Sequence, residues 1–372
     1  MIMSGILTVK RTLLKRTLPY NKETEKAEIV PLDELLGIDY LPFKMTKLVM
    51  LEVAYMGQML SSYNQASEEL EKKLGYKIST SLVRDVTVFV GNLVYQKDVE
   101  IALKTQKNIT SSQPKSKELK KGIVYILIDG AAVNTRVEDK NGSTWRENKL
   151  GMAFVSVHVR KRGSSDKNGH TITKKEYSAY IGSANEFSKF VYQIAINQGY
   201  GQYEQTIILG DGATWIRTMC EELFPDALQI LDIYHLSENV YDFAKYVFKK
   251  DEKQYRPWAK KIISWIKEER LDEVFKAIDK TGVIKTPIGV VDLKGYLTNN
   301  KDKMSYNKYV FRGYYIGSGA IESANKVVLQ RRLKQAGMRW SIPTAQAVLS
   351  LRAKVESGLW HEVKLLVMNF KL

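Results

Sequence analysis

Three carboxylates stand where the chain could use them for chemistry. Asp129 ends the apolar run GIVYILIDG (122–130), Asp211 ends TIILGDG (206–212), and Glu322 opens the stretch IESANKVVLQRRLKQAGMRW (321–340). Asp-Gly is an ordinary turn signal, and aspartate is a good helix cap. That explanation fits Asp211 moderately. It fits Asp129 poorly, because the chain stays apolar through Ala131, Ala132 and Val133 instead of turning back. If two neighbouring strands carry Asp129 and Asp211 to one end of a sheet and Glu322 joins them from a helix, three carboxylates make a site for Mg²⁺, which favours carboxylate oxygens and retained waters. Two ions held that way would activate an attacking oxygen and steady a leaving oxygen in a phosphodiester displacement. Glu322 alone has a plainer reading, as an acidic residue favoured by the dipole in a first helical turn.

The elements that must position these groups follow from apolar periodicity. Residues 122–130 are apolar on both faces, as in a central strand covered on both sides. Strand patterns recur at 150–159, 175–181, 206–210 and 227–235, the last running into Asp232 and His235, with a helix over 184–199 and another after Asp211. The order is that of an α/β layer with a mixed sheet. Residues 236–310 are helical in pattern and form an insertion before Glu322. Ser318 is a candidate N-cap for the Glu322 helix, and Ile321, Ala324 and Val328 share one face. Beyond them Lys326, Arg331, Arg332, Lys334 and Arg339 give a positive surface of the kind that tracks a phosphate backbone, or simply a solvated face.

Upstream, residues 62–91 pattern as two helices broken at Gly75, with Ser79 capping the second. This is the layout of a helix-turn-helix, and it would turn Thr80, Ser81 and Arg84 toward DNA. Residues 5–18 alternate apolar or threonine with basic residues, as a basic hairpin in which Lys10 and Arg11 are candidate DNA contacts, or as an edge strand protected by lysines. The domains read as 1–43, hairpin and linker; 44–103, a helical DNA-binding unit; 104–121, a tether; 122–235, first part of the core; 236–310, the helical insertion; and 311–372, last part of the core.

Lys+Arg 57 against Asp+Glu 41 gives a net charge of +16, which favours nucleic acid over acidic small molecules as partner. A ribosome-associated or membrane-surface protein would share that balance. A single cysteine, Cys220, excludes an internal disulfide framework, and only four histidines leave little for a zinc site. No stretch approaches the length of a membrane span.

Four pieces carry a family resemblance: ILIDGAAV at Asp129, IILGDGATWIRTMCEELFP at Asp211, ILDIYHLSENV at Asp232 and His235, and IGSGAIESANKVVLQRRLKQAGMRWS at Glu322. Together they resemble the ribonuclease H-like core of DDE transposases of bacterial insertion sequences, the Kra type in particular, over most of residues 120–355. The resemblance implies a ribonuclease H-like mixed sheet flanked by helices, and a metal-binding triad of Asp129, Asp211 and Glu322. It implies two Mg²⁺ ions, with Mn²⁺ able to substitute, and cleavage and transfer of DNA strands. Its partners would be terminal inverted repeats and target DNA, bound by a homodimer or higher oligomer in the bacterial cytoplasm at the nucleoid, with no membrane. Asp232 and His235 match an Asp-x-x-His pair of such families. His235 then has three open roles, at DNA, at metal or in ordering the site, beside that of a plain core histidine. The chain departs from the pattern in starting almost at the basic hairpin and in having Cys220 alone. A non-catalytic DNA-binding derivative and a structure-selective nuclease are the competing readings.

Overall fold

The computed structural model describes residues 42–109, 118–161 and 170–370, together with the backbone of two short strands, Leu14–Lys15 (β1) and Glu28–Ile29 (β2), which pair antiparallel. Lys10 and Arg11, most of the rest of the 1–43 hairpin and linker, and the middle of the tether lie outside the described residues. Helices α1 (Lys47–Met59), α2 (Tyr63–Leu74) and α3 (Thr80–Ile109) follow. The next elements are β3 (Lys120–Asn134), β4 (Trp145–Val155), β5 (Val159–Lys161), β6 (His170–Ile172) and β7 (Glu176–Tyr180). Then come α4 (Ala184–Asn197), β8 (Tyr203–Gly210), α5 (Thr214–Leu223) and β9 (Leu228–Leu231). After β9 the described chain has no strand through α6 (Ile233–Val247), α7 (Glu252–Lys267), α8 (Leu271–Asp279), α9 (Leu293–Asn299) and α10 (Tyr306–Phe311). Helix α11 (Gly319–Ala324) runs straight into a π turn, Asn325–Gln330, and one last α turn, Arg331–Leu333. Helices α12 (Ile342–Glu356) and α13 (Trp360–Asn369) close the chain.

The chain divides into two compact units, each assembled from separated segments. One comprises Met1–Asp98, Asn134–Thr144 and Val328–Leu372; the other comprises Val99–Val133 and Trp145–Val327. In the first, Ser62 caps α2 by accepting from the Gln65 amide at 3.1 Å, and Ser79 Oγ accepts from Leu82 N at 3.3 Å. Ala66, Leu70, Val83, Val86 and Val90 are buried in one core with Leu351, Val363 and Val367 from the C-terminal helices. A Cβ on Gly91 would stand 2.4 Å from the Ala347 carbonyl oxygen, so a bare backbone is what lets α3 and α12 touch. Helix α3 does not stop where the sequence suggests a tether. Its last turns take in residues 104–109, and Lys120 and Lys121 already belong to β3.

The second unit is built on a five-stranded mixed sheet in the order β7-β4-β3-β8-β9. Strands β3, β8 and β9 run parallel, and β7 is antiparallel to β4. Residues Val124–Ile128 of β3 and Thr206–Gly210 of β8 are buried, as their unbroken apolar runs require.

Candidate functional site

The register of β3 on β8 decides where the two aspartates stand. Leu127 pairs with Leu209, so Asp129 and Asp211, each two residues further on, emerge level at the same end of adjacent parallel strands. Both line a cleft of about 320 Å³ with Trp145, Glu147, Trp215 and His235. Asp211 Oδ1 accepts from the Ala213 amide at 2.9 Å, and the Asp211 carbonyl accepts from the Tyr296 hydroxyl at 2.8 Å. The next residue must be glycine: Gly212 has φ +86°, and a Cβ there would meet Leu231 Cδ1 at 2.8 Å and Asn300 Nδ2 at 2.9 Å. A second cavity of about 740 Å³ opens beside Asp211 and His235, lined also by Arg217, Asn239, Tyr296 and Asn299.

Both oxygens of Asp129 are engaged. Oδ1 accepts from the Gly130 amide at 2.7 Å and lies 3.5 Å from His235 Nε2; Oδ2 accepts from the side-chain amide of Asn325. At 3.5 Å the histidine contact is an ion pair rather than a tight hydrogen bond. The Asp129 carboxylate nonetheless dominates the imidazole, outweighing burial, and with help from Asp232 and Asp211 it pushes the His235 pKa up to about 9. His235 is in place because Asp232 caps its helix: Asp232 Oδ1 accepts from Tyr234 N at 2.8 Å, while its wholly buried Oδ2 has no protein partner.

Glu322 stands elsewhere. It is exposed and lines a neighbouring groove with Tyr234, Ser237, Glu238, Tyr241 and Tyr255. Among the described residues no three His, Cys, Asp or Glu side chains converge as a ready metal cage. Ser318 holds the N-cap position of α11 without a side-chain bond; its backbone carbonyl accepts from Ile321 N at 2.7 Å, and its buried Oγ has no partner.

Of the expected DNA contacts, Thr80, Ser81 and Arg84 are exposed at the start of α3, with Arg84 paired to Asp85 at 2.8 Å. Lys326, Arg331, Lys334 and Arg339 are exposed. Arg332 is a correction. It is only 1% exposed, donates to the carbonyls of Gly57 (3.0 Å) and Ser61 (3.4 Å), and lies 4.4 Å from the Tyr63 ring and 5.0 Å from that of Trp340. A guanidinium so enclosed caps the end of α1 and reaches no phosphate.

Glu147 of the cleft and Asn325, buried behind Asp129, escape a reading of the sequence. Glu147, 2.6 Å from Lys149, lies in a polar stretch that looks like a connection but starts β4. Asn325 follows Glu322 by three positions, and that helical spacing was the available signal.

Fold and cleft define an α/β protein with two aspartates and a histidine gathered at the end of adjacent parallel strands. The chain belongs to an uncharacterised protein family, UPF0236, which matches it over residues 9–367. No curated protein matches it. Among the described residues no helix is long and apolar enough to cross a membrane.

Proposed function

We propose that this protein is a DDE-type transposase, cutting DNA and joining the ends with a ribonuclease H-like core and divalent metal. One observation carries the reading: Asp129 and Asp211 stand level on adjacent parallel strands and open into one cleft, in a sheet ordered β7-β4-β3-β8-β9. The mixed sheet, with β3, β8 and β9 parallel on one side and β7 paired antiparallel to β4 at the other edge, supports the reading. The all-helical segment between β9 and α11 is consistent with it.

The donor set fits a hard cation in part. Asp129 and Asp211 offer carboxylate oxygens on one cleft, whereas Glu322 lines the adjoining groove. Bound there, Mg²⁺ or Mn²⁺ would neutralise charge on the phosphate and lower the pKa of a ligated water. The chain's own residues do the rest. His235 beside Asp129 is placed to donate a hydrogen bond to a phosphate oxygen, Asp232 fixes the turn that carries it, and Asn325 orients Asp129. Thr80, Ser81 and Arg84 are the proposed contacts to terminal repeats, and Lys326, Arg331, Lys334 and Arg339 to phosphates; paired ends call for a dimer or higher oligomer on DNA.

The placement of Glu322 favours a second reading, a DNA-binding derivative without catalysis. One assay separates them. Duplexes carrying the inverted repeats that flank the coding region are incubated with the protein and Mg²⁺ or Mn²⁺, and nicked and joined products are resolved on denaturing gels. Asp129→Ala and Asp211→Ala should each abolish product. Full activity in either variant refutes the mechanism, and DNA binding with no product from the wild type supports the second reading.

A further inference from the structure

We infer that Asn325 is the positioning residue of this cleft, holding the Asp129 carboxylate and linking the Glu322 helix to β3. The consequence for metal rests on the reading above, but the link itself does not. An ionised carboxylate only accepts hydrogen bonds, so the nitrogen of the Asn325 amide must face Asp129 Oδ2. That leaves Oδ1 of the amide buried with no protein partner, in a residue 3% exposed. A half-satisfied amide in a core is destabilising, so packing alone gives no reason for asparagine here. Its placement gives one. Asn325 begins the π turn Asn325–Gln330, and a π turn inside an α-helix redirects the side chains along it. Glu322 lies one turn earlier on the same helix, so the Asn325 to Asp129 bond fixes the distance between the strand of the first aspartate and the helix of the glutamate. With Gly130 N and His235 on Oδ1, it leaves Asp129 a single orientation.

The test uses the full chain as wild type, Asn325→Ala, Asn325→Gln and Asp129→Ala. Mn²⁺ is titrated calorimetrically without DNA, thermal midpoints are recorded, and amide hydrogen exchange is followed over residues 319–330. Loss of a group that orients a ligand weakens metal binding about tenfold or more. Asn325→Ala should do so with its thermal midpoint nearly unchanged, and Asn325→Gln, which keeps the donor, should recover part of the affinity. In an Asp129→Ala background the Asn325 substitution should add nothing. Wild-type affinity in Asn325→Ala, or an equal loss in both backgrounds, overturns the inference. If the wild type takes up no Mn²⁺ and cuts no DNA, the transposase reading fails and hydrogen exchange decides the link. Faster exchange across 319–330 in Asn325→Ala sustains it, and unchanged exchange overturns it.

Discussion

Replacing Arg332 distinguishes a buried clamp from a DNA contact. The guanidinium donates to Gly57 O at 3.0 Å and, more weakly, to Ser61 O at 3.4 Å. Charged hydrogen bonds are worth about 1.5–3 kcal/mol each, and the longer one belongs at or below that floor. The rings of Tyr63 and Trp340 add about 1–2 kcal/mol for a desolvated cation. Against this stands the cost of burying the charge, several kcal/mol, which also lowers the arginine's pKa and is made worse by an Nη2 without a partner. Kept whole, Arg332 is therefore nearly balanced. Truncated, it leaves the Gly57 and Ser61 carbonyls without that donor beside a cavity, so Arg332→Ala should lose about 2–5 kcal/mol, whereas Arg332→Met, which refills the space but still lacks the donor, should lose less, about 1–3 kcal/mol. Urea unfolding followed by tryptophan fluorescence measures both, since Trp340 borders the site. DNA affinity measured across a salt series runs in parallel. Arg332 is a DNA contact and not a buried clamp if Arg332→Ala unfolds within about 0.5 kcal/mol of wild type while its salt slope falls by about one, the signature of a lost phosphate contact.

Other substitutions test other parts of the structure. Arg84→Ala should leave the urea midpoint unchanged and reduce the salt slope of DNA binding by about one; an unaltered slope removes Arg84 from the interface. Gly91→Ala should destabilise despite alanine's helix preference of about 1 kcal/mol, because the added Cβ meets the Ala347 carbonyl oxygen at 2.4 Å and overpacking costs about 1–3 kcal/mol. A stabilised variant would mean that α3 and α12 separate easily. In metal-free protein the His235 to Asp129 pair raises the histidine pKa from 6.5 to about 9, so its stabilisation is complete below pH 6.5 and fades as pH rises through about 9. Thermal midpoints of wild type and His235→Asn should therefore differ most at pH 6 and converge by about pH 10. A constant gap over that range refutes the pairing.

What the sequence made legible depended on how local the signal was. The centres of the runs at 122–130 and 206–210, Val124–Ile128 and Thr206–Gly210, are buried because a strand covered on both faces needs apolar residues at every position, whereas β9 is buried only at Ile230 and Leu231. Asp129 and Asp211 could be singled out because each interrupts such a run. Arg332 could not be told from Arg331, since both sit in one basic stretch and only a carbonyl 275 residues away separates their fates. Asn325 was hidden for the same reason, its partner lying 196 residues earlier. Helix α3 outran expectation because Thr, Gln, Asn and Lys at 104–109 suit an exposed helix as well as a tether. Residues 134–149 are polar and carry no apolar strand signal, so Glu147 and the beginning of β4 do not stand out in the sequence.

The segmented make-up of the first unit bears on how the protein comes off the ribosome. Helices α1 to α3 are made first of these elements, yet their apolar faces close on Leu351, Val363 and Val367, which lie far downstream in the chain. Roughly 230 residues separate Asp98 from Val328, and at about 5–20 residues per second that gap takes on the order of 10–50 s to synthesise. For that interval the nascent N-terminal helices have an unfinished core, exposed to chaperones and proteases. A chain interrupted before Val328 would leave the Thr80–Arg84 surface on helices that pack only on one another, without Leu351, Val363 and Val367 to close their core.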